Sequence, residues 1–287
     1  MPFYAFAWIA CIASALIIIV SKLTSKYSIK NPWLFNFIWT FVIFIFTVFP
    51  ALYYQAALPN DWPPIILAGI FAAGWNTLYI LSMYKIDVTT FSPLFNFRLV
   101  FAIILGSVLF QEKLTFSQFV LFFTILIGGI FSSVDEKLNL KSFFKPSIAI
   151  GLLAMLFLAI NNAFIKIALM KNGLWTANLW MSLITLLAIT PTVVFFNKSV
   201  KNIGLKQLLP VLAMGILQMI TNASANFAYS KNLGITSLIM AIPLSMIFVF
   251  ILSMLLPKLL EKHTLKVYLI RFTAAAVMIY SAIKLSV

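Results

Sequence analysis

The 287-residue chain contains one cysteine, one histidine and six acidic residues, and each scarcity excludes a class of chemistry. With Cys11 alone, no intrachain disulfide can form and no thiol-pair or zinc site can be assembled. His263 stands by itself in a loop, which leaves no Ser/His/Asp constellation. The acids Asp61, Asp87, Glu112, Asp135, Glu136 and Glu261 all lie outside the centres of the apolar runs. Neither a paired-aspartate metal motif nor a Walker A loop is present, so prenyl-diphosphate chemistry and ATP use lack their signatures. Charged residues make up 9% of the chain and apolar residues 63%. An ordinary soluble domain has roughly 25% and about 45–50%. Too little polar surface remains to cover a fold in water, and the 16% aromatic content excludes disorder.

What the chain has is apolar length. Ten runs fall at about 3–21, 33–54, 63–84, 89–110, 115–134, 146–170, 174–196, 206–230, 236–256 and 264–284. Each is close to the ~20 residues with which a helix crosses hydrocarbon while satisfying its own backbone. A membrane barrel would need short alternating segments, and Phe41–Phe49 and Ile247–Leu256 do not alternate. The first run has no basic n-region or small-residue cleavage site and reads as a retained span. Connections are short, the longest lying near the middle of the chain at 135–145.

The two halves repeat. At an offset of 141, Asn31, Trp39 and Pro50 meet Asn172, Trp180 and Pro191; at 144, Lys22 meets Lys166. At 146, Pro64, Gly69, Asn76 and Lys85 meet Pro210, Gly215, Asn222 and Lys231. At 149, Glu112-Lys113-Leu114-Thr115 meets Glu261-Lys262-His263-Thr264, and Ser132 meets Ser281. Five spans per copy is an odd number, so the second copy must lie inverted. The expected fold is therefore an all-α integral membrane protein of ten transmembrane helices in two inverted five-helix repeats. The first repeat is 1–134, the linker 135–145 and the second repeat 146–287. Inverted repeats are a hallmark of secondary transporters, whose substrate site lies near the midplane.

These features resemble the drug/metabolite transporter superfamily, in particular its ten-helix EamA-type members. The resemblance covers nearly the full length. It is carried by Asn162-Ala163-Phe164-Ile165-Lys166, the two Glu-Lys turns at Glu112 and Glu261, and the small-residue run Ile127-Gly128-Gly129-Ile130. It departs in span four, where Pro93 comes early and Arg98 stands near the place usual for proline. The resemblance implies export or exchange of small metabolites through a central cavity lined mainly by spans one, three, four, six, eight and nine, with spans five and ten peripheral. Four-helix relatives in that superfamily place a proton-carrying carboxylate in their first helix. This chain has none there, which disfavours a proton antiporter of that kind.

Polar side chains deep in a span are costly and usually face protein. Arg98, about ten residues into span four, is either a cationic anchor for a substrate carboxylate or phosphate, or a buried arginine tied to helix carbonyls. Ser92 and Asn96 share a face, from which Arg98 is rotated by about 200°. Both faces can line one cavity only if Pro93 distorts the helix. Gln218, Asn222 and Asn226 form a stripe in span eight, with Asn76 and Tyr79 in span three. Amides of this kind serve either a polar substrate or helix–helix hydrogen bonding. Of the adjacent Asn161 and Asn162, at most one can face the cavity squarely. The candidate substrate-binding residues are thus Arg98, Asn76, Tyr79, Asn96, Asn162, Gln218, Asn222 and Asn226. Lys22, Lys85, Lys166 and Lys231 read as interface anchors, Glu112 and Glu261 as capping or salt-bridge residues, and Trp39 and Trp180 as packing residues.

The expected activity is secondary transport of small polar metabolites such as amino acids, without catalysis, cofactor or metal. The alternative is an integral-membrane enzyme acting on a lipid-linked or amphipathic substrate. The expected partners are a small-molecule substrate and the lipid bilayer of the cell (inner) membrane, with the chain a monomer or weak homodimer. The net charge of +14 is no nucleic-acid footprint, because its lysines lie in short gaps between apolar runs. Apart from Arg98 and Arg271, thirteen basic residues fall on the side of loops 1–2, 3–4, 5–6, 7–8 and 9–10, and five on the other. The positive-inside rule makes the richer side cytoplasmic and the termini external. The resembled family implies the opposite.

Overall fold

A computed structural model describes residues 2–110, 116–134, 140–197, 203–231, 236, 239–240, 242–256 and 263–286. The described residues are helical with short connections and include no strand. Helices α1 (Phe3–Leu23), α2 (Pro32–Tyr53) and α3 (Trp62–Met83) open the chain, α1 continuing through a wide turn at Thr24–Ser28. They are followed by α4 (Val88–Leu94), α5 (Phe97–Phe110) and α6 (Phe116–Ser132). The second half holds α7 (Pro146–Lys171), α8 (Leu174–Ile189), α9 (Leu205–Lys231), α10 (Leu244–Leu255) and α11 (Leu265–Ser286). Six segments of the described chain are long and apolar enough to cross a membrane, and the stretches 119–132 and 244–255 are shorter apolar helices. Glu112 and Glu261, with most of the two Glu-Lys turns and the start of the expected linker, lie outside the described residues.

Helix starts follow local chemistry. Asn31 caps α2, its side-chain oxygen accepting from the Trp33 and Leu34 amides at 3.0 and 3.2 Å, with Pro32 at the first helical position. Proline likewise opens α7 at Pro146. The outer face is apolar and exposed: Phe41, Ile45, Phe119, Phe123, Ile127 and Leu269 point away from protein, as a lipid-facing belt requires.

The fourth expected span is not continuous. Pro93 has no amide to donate, and α4 ends at Leu94. The chain then passes through tight turns in which the Phe95, Asn96, Arg98 and Leu99 amides each bond three residues back. The ninth expected span is interrupted too, at Ile242–Pro243, between helical Met240 and the start of α10. The two interruptions meet in space, where the Ser92 and Ser245 hydroxyls share a hydrogen bond.

Helices of the two halves interleave. α3 packs on α7 and α8, α9 packs on α1 and α2, and α2 packs on α8. α5 lies against α7, α10 against α1, α4 against α10, and α6 against α11. Two glycines that match across the halves sit at close helix–helix approaches. A Cβ at Gly69 would stand 2.6 Å from Ile184 Cγ2, where α3 meets α8. One at Gly215 would stand 2.3 Å from Val42 Cγ1, where α9 meets α2.

Candidate functional site

At the centre of the bundle is a cavity of about 250 Å³, lined by α1, α2, α3, α7, α8 and α9, by Phe95 and Arg98 at the interruption of span four, and by Met240. Seven of the eight candidates line it: Arg98, Asn76, Tyr79, Asn162, Gln218, Asn222 and Asn226.

Asn96 is the exception and corrects the sequence reading. It is fully buried, and its amide nitrogen donates at 3.1 Å to the Pro93 carbonyl. The interruption turned Arg98 toward the cavity and left Asn96 closing the turn instead. The spans also need correction. Trp39, Thr40 and Thr47 of α2 line the cavity, as do Trp175, Asn178 and Thr185 of α8, so spans two and seven contribute alongside those the resemblance implied. Spans five and ten, here α6 and α11, contribute no lining residue among those described.

The lining side chains differ in how fully they are bonded. Gln218 donates to Asn222 at 2.8 Å, which fixes the amide stripe along α9. Asn226 reaches Asn178 at 3.5 Å, Asn76 reaches Thr40 at 3.4 Å, and the Tyr79 and Ser21 hydroxyls lie 2.7 Å apart. Of the adjacent pair in α7, Asn161 is buried and donates to the Ala68 carbonyl at 2.8 Å, joining α7 to α3. Asn162 is half-buried and has no bonding partner among the described residues. Arg98 is half-buried as well, and its guanidinium has no hydrogen-bond or ion-pair partner among them. Aromatic rings continue the wall: Trp75 lies 5.2 Å from Tyr79 and 5.8 Å from Phe95, and Trp39 lies 5.5 Å from Tyr79. The Trp39 indole nitrogen is buried without a partner among the described residues. Trp39 is thus a cavity residue, whereas Trp180 donates to the Ala57 carbonyl at 2.9 Å and holds the loop before α3.

Charged groups gather at the end of the bundle carrying the C-termini of α1 and α3. Lys22 is buried, donating to the carbonyls of Met83 and Ile86 at 3.0 and 2.8 Å, so it caps α3 and is no interface anchor. Lys85, Lys166 and Lys231 are exposed. Arg271 is buried, bonding the Val134 carbonyl through Nε and Nη2 at 3.1 and 2.8 Å and the Thr89 hydroxyl through Nη1. Its guanidinium therefore joins α11 to the end of α6 and the start of α4. His263 is not isolated: its Nε2 lies 3.2 Å from an Asp87 carboxylate oxygen. Burial alone would raise the Asp87 carboxyl. The His263 hydrogen bond and charge, with Lys22 and Arg271, outweigh it and hold Asp87 below its ordinary value. At the opposite end, Lys171 pairs with Asp61 at 2.6 Å, and Tyr54 stacks on Trp175 at 5.5 Å.

A helical bundle with a lipid-facing apolar belt and a polar-lined cavity among its helices defines a multi-pass membrane protein. The sequence model of the EamA-like transporter family matches residues 1–134, just under half of the chain. A solved structure described only as "Crystal structure of protein" superposes with a TM-score of 0.62 at 14% identity, covering 95% of this chain and 96% of that one. It shares the fold along essentially the whole length. No curated protein matches the chain.

Proposed function

We propose that the chain is a secondary transporter of small polar metabolites, amino acids and related compounds among them. It works in the cell membrane as a monomer or weak homodimer, by alternating access around the midplane cavity. The observation that carries this reading is the cavity itself, which gathers side chains from both halves of the chain: Asn76 and Arg98 from the first, Asn162 and the Gln218–Asn222–Asn226 stripe from the second. The described lining residues supply amide donors and acceptors and include no Asp or Glu, which favours facilitated diffusion or exchange over coupling through a carboxylate in the cavity.

Two five-helix repeats of opposite orientation, 1–134 and 146–287 with a linker at 135–145, underlie this mechanism. The helix pairings support them. Exchanging each span of one half for its counterpart turns the packing of α3 on α7 into that of α9 on α1, and α3 on α8 into α9 on α2. Gly69 against Ile184 becomes Gly215 against Val42, at offsets of 146 and 142. The interruptions at Phe95–Asn96 and Ile242–Pro243 stand 147 residues apart, and interrupted helices at matching positions of two halves mark transporter binding sites. The cavity lining reaches Trp175 and Thr47 near the Asp61–Lys171 end, while Lys22, Asp87 and Arg271 gather at the lysine-rich end.

The test is solute flux in liposomes reconstituted with the full chain. Wild type should release or take up members of a metabolite panel, and Asn222→Ala, which removes the amide receiving the Gln218 bond, should reduce that flux without loss of monodisperse protein. Liposomes tight to the whole panel, together with turnover of a lipid by the solubilised protein, would instead make it a membrane enzyme.

A further inference from the structure

We propose that the cavity selects an organic monocarboxylate carrying a single negative charge and a flat, ring-sized apolar body. The inference rests on the transport reading above and narrows its substrate class.

Among the described lining residues Arg98 is the one charged side chain, and no described acidic residue lines the cavity with it. The chain contains its own control for what a structural arginine looks like. Arg271 is fully buried and commits its guanidinium to the Val134 carbonyl and the Thr89 hydroxyl. Arg98 is half-buried, faces the cavity and bonds to none of the described residues. A half-buried guanidinium facing a cavity, with no counter-charge among the described residues, favours a ligand that brings one. One planar cation matches one carboxylate through two parallel hydrogen bonds, and a second negative charge on the ligand would find no further cation among the described lining residues. A cationic ligand would meet an unscreened like charge.

The space beside Arg98 is aromatic. Phe95 precedes it by one tight turn, its carbonyl accepting from the Arg98 amide at 3.2 Å. Trp75 meets Phe95 edge-on, and Tyr79 and Trp39 extend the wall. Ring faces and edges of this kind pack flat apolar groups. Size agrees: an apolar cavity of about 150 Å³ accommodates benzene, and about 250 Å³ accommodates a ring with a short acidic side chain. The Asn162 and Asn222 amides remain for a polar substituent on that ring or chain.

The test uses four compounds that share a phenyl-ethyl body: 3-phenylpropionate, its uncharged amide, phenylalanine and phenethylamine. Flux of each is measured in liposomes containing the full-length chain, alongside the broad metabolite panel. Wild type is expected to carry phenylpropionate at least about thirtyfold faster than the amide or the amine, the lower end of the cost of losing one partner of a desolvated charge pair. Arg98→Gln is expected to abolish that preference. The comparison of acid with amide needs no variant, so it stands even if Arg98→Gln does not fold. Equal flux of acid and amide, preference for phenylalanine or phenethylamine, or an acid preference that survives in a well-folded Arg98→Gln protein would overturn the inference. Carriage of panel solutes but none of these four would also overturn it while leaving the transporter reading intact. Absence of all flux would overturn both.

Discussion

Gly215→Ala should loosen the bundle in a way that a second substitution repairs. The new Cβ would stand 2.3 Å from Val42 Cγ1 and 3.1 Å from Phe46 Cδ2. Carbon atoms rest at about 3.5–4.0 Å, so α9 and α2 must separate by roughly 1 Å or Val42 must leave its rotamer. Overpacking of this kind costs about 1–3 kcal/mol, partly offset by roughly 1 kcal/mol of helix propensity gained on replacing glycine. A net loss of about 1–2 kcal/mol corresponds to several degrees in melting temperature at roughly 2–4 °C per kcal/mol. Val42→Ala alone removes two buried methyl groups, for about 1–2 kcal/mol. In the double variant the alanine methyl at 215 occupies the space that Cγ1 vacates. The two changes should therefore offset each other, with a favourable coupling of about 1 kcal/mol or more. Melting of the four proteins of this cycle in detergent measures the coupling. Effects that add to within about 0.5 kcal/mol would refute the close approach. Because Trp39, Thr40, Gln218 and Asn222 lie on the same two helices, flux should fall in Gly215→Ala and recover in the double variant.

Asn222→Leu should leave the protein folded and monodisperse while lowering flux about tenfold, the scale of one lost hydrogen bond to a polar solute; aggregation instead would make the α9 stripe a helix–helix contact, as read by size-exclusion chromatography. Arg271→Met should destabilise the protein by about 3–5 kcal/mol, because it strands the buried Val134 carbonyl and the Thr89 hydroxyl. Arg271→Lys should recover little of this in thermal melts, since one ammonium cannot span both partners. For Asp87 the folded carboxyl lies below its ordinary value, so its contribution is present above the unfolded value near ~3.9 and is lost as pH falls through the folded value. Melting temperature followed from neutral pH into that acid range should drop more steeply for wild type than for Asp87→Asn.

Much of this architecture is written in the chain where a residue type has one affordable location. Runs of about twenty apolar residues have to be helices in lipid, and amides inside them have to face protein, so Asn76, Asn162, Gln218, Asn222 and Asn226 could be read as cavity candidates from spacing alone. Gly69 and Gly215 matched across the halves before a reason was visible; the reason is the close approach to Ile184 and Val42. What could not be read depends on backbone groups. Lys22 and Arg271 are held by the carbonyls of Met83, Ile86 and Val134, and a carbonyl leaves no mark in sequence. Pro93 signalled a distortion of span four but not its form. After Phe95 the chain re-enters a helix with Arg98 toward the cavity and Asn96 turned onto the Pro93 carbonyl. Trp39, Thr40 and Trp175 carry no charge or amide to distinguish a cavity face from a packing face, so the contribution of α2 and α8 emerged only from their placement.

Flux through the reconstituted, full-length chain tests the central claim most directly. Liposomes loaded with a mixture of amino acids, nucleobases and organic acids are assayed for solute release, with empty liposomes as reference. Selective release of a subset of small solutes, depressed by Asn222→Leu in protein that remains monodisperse, is the expected result. Release indistinguishable from protein-free liposomes for every compound would contradict it.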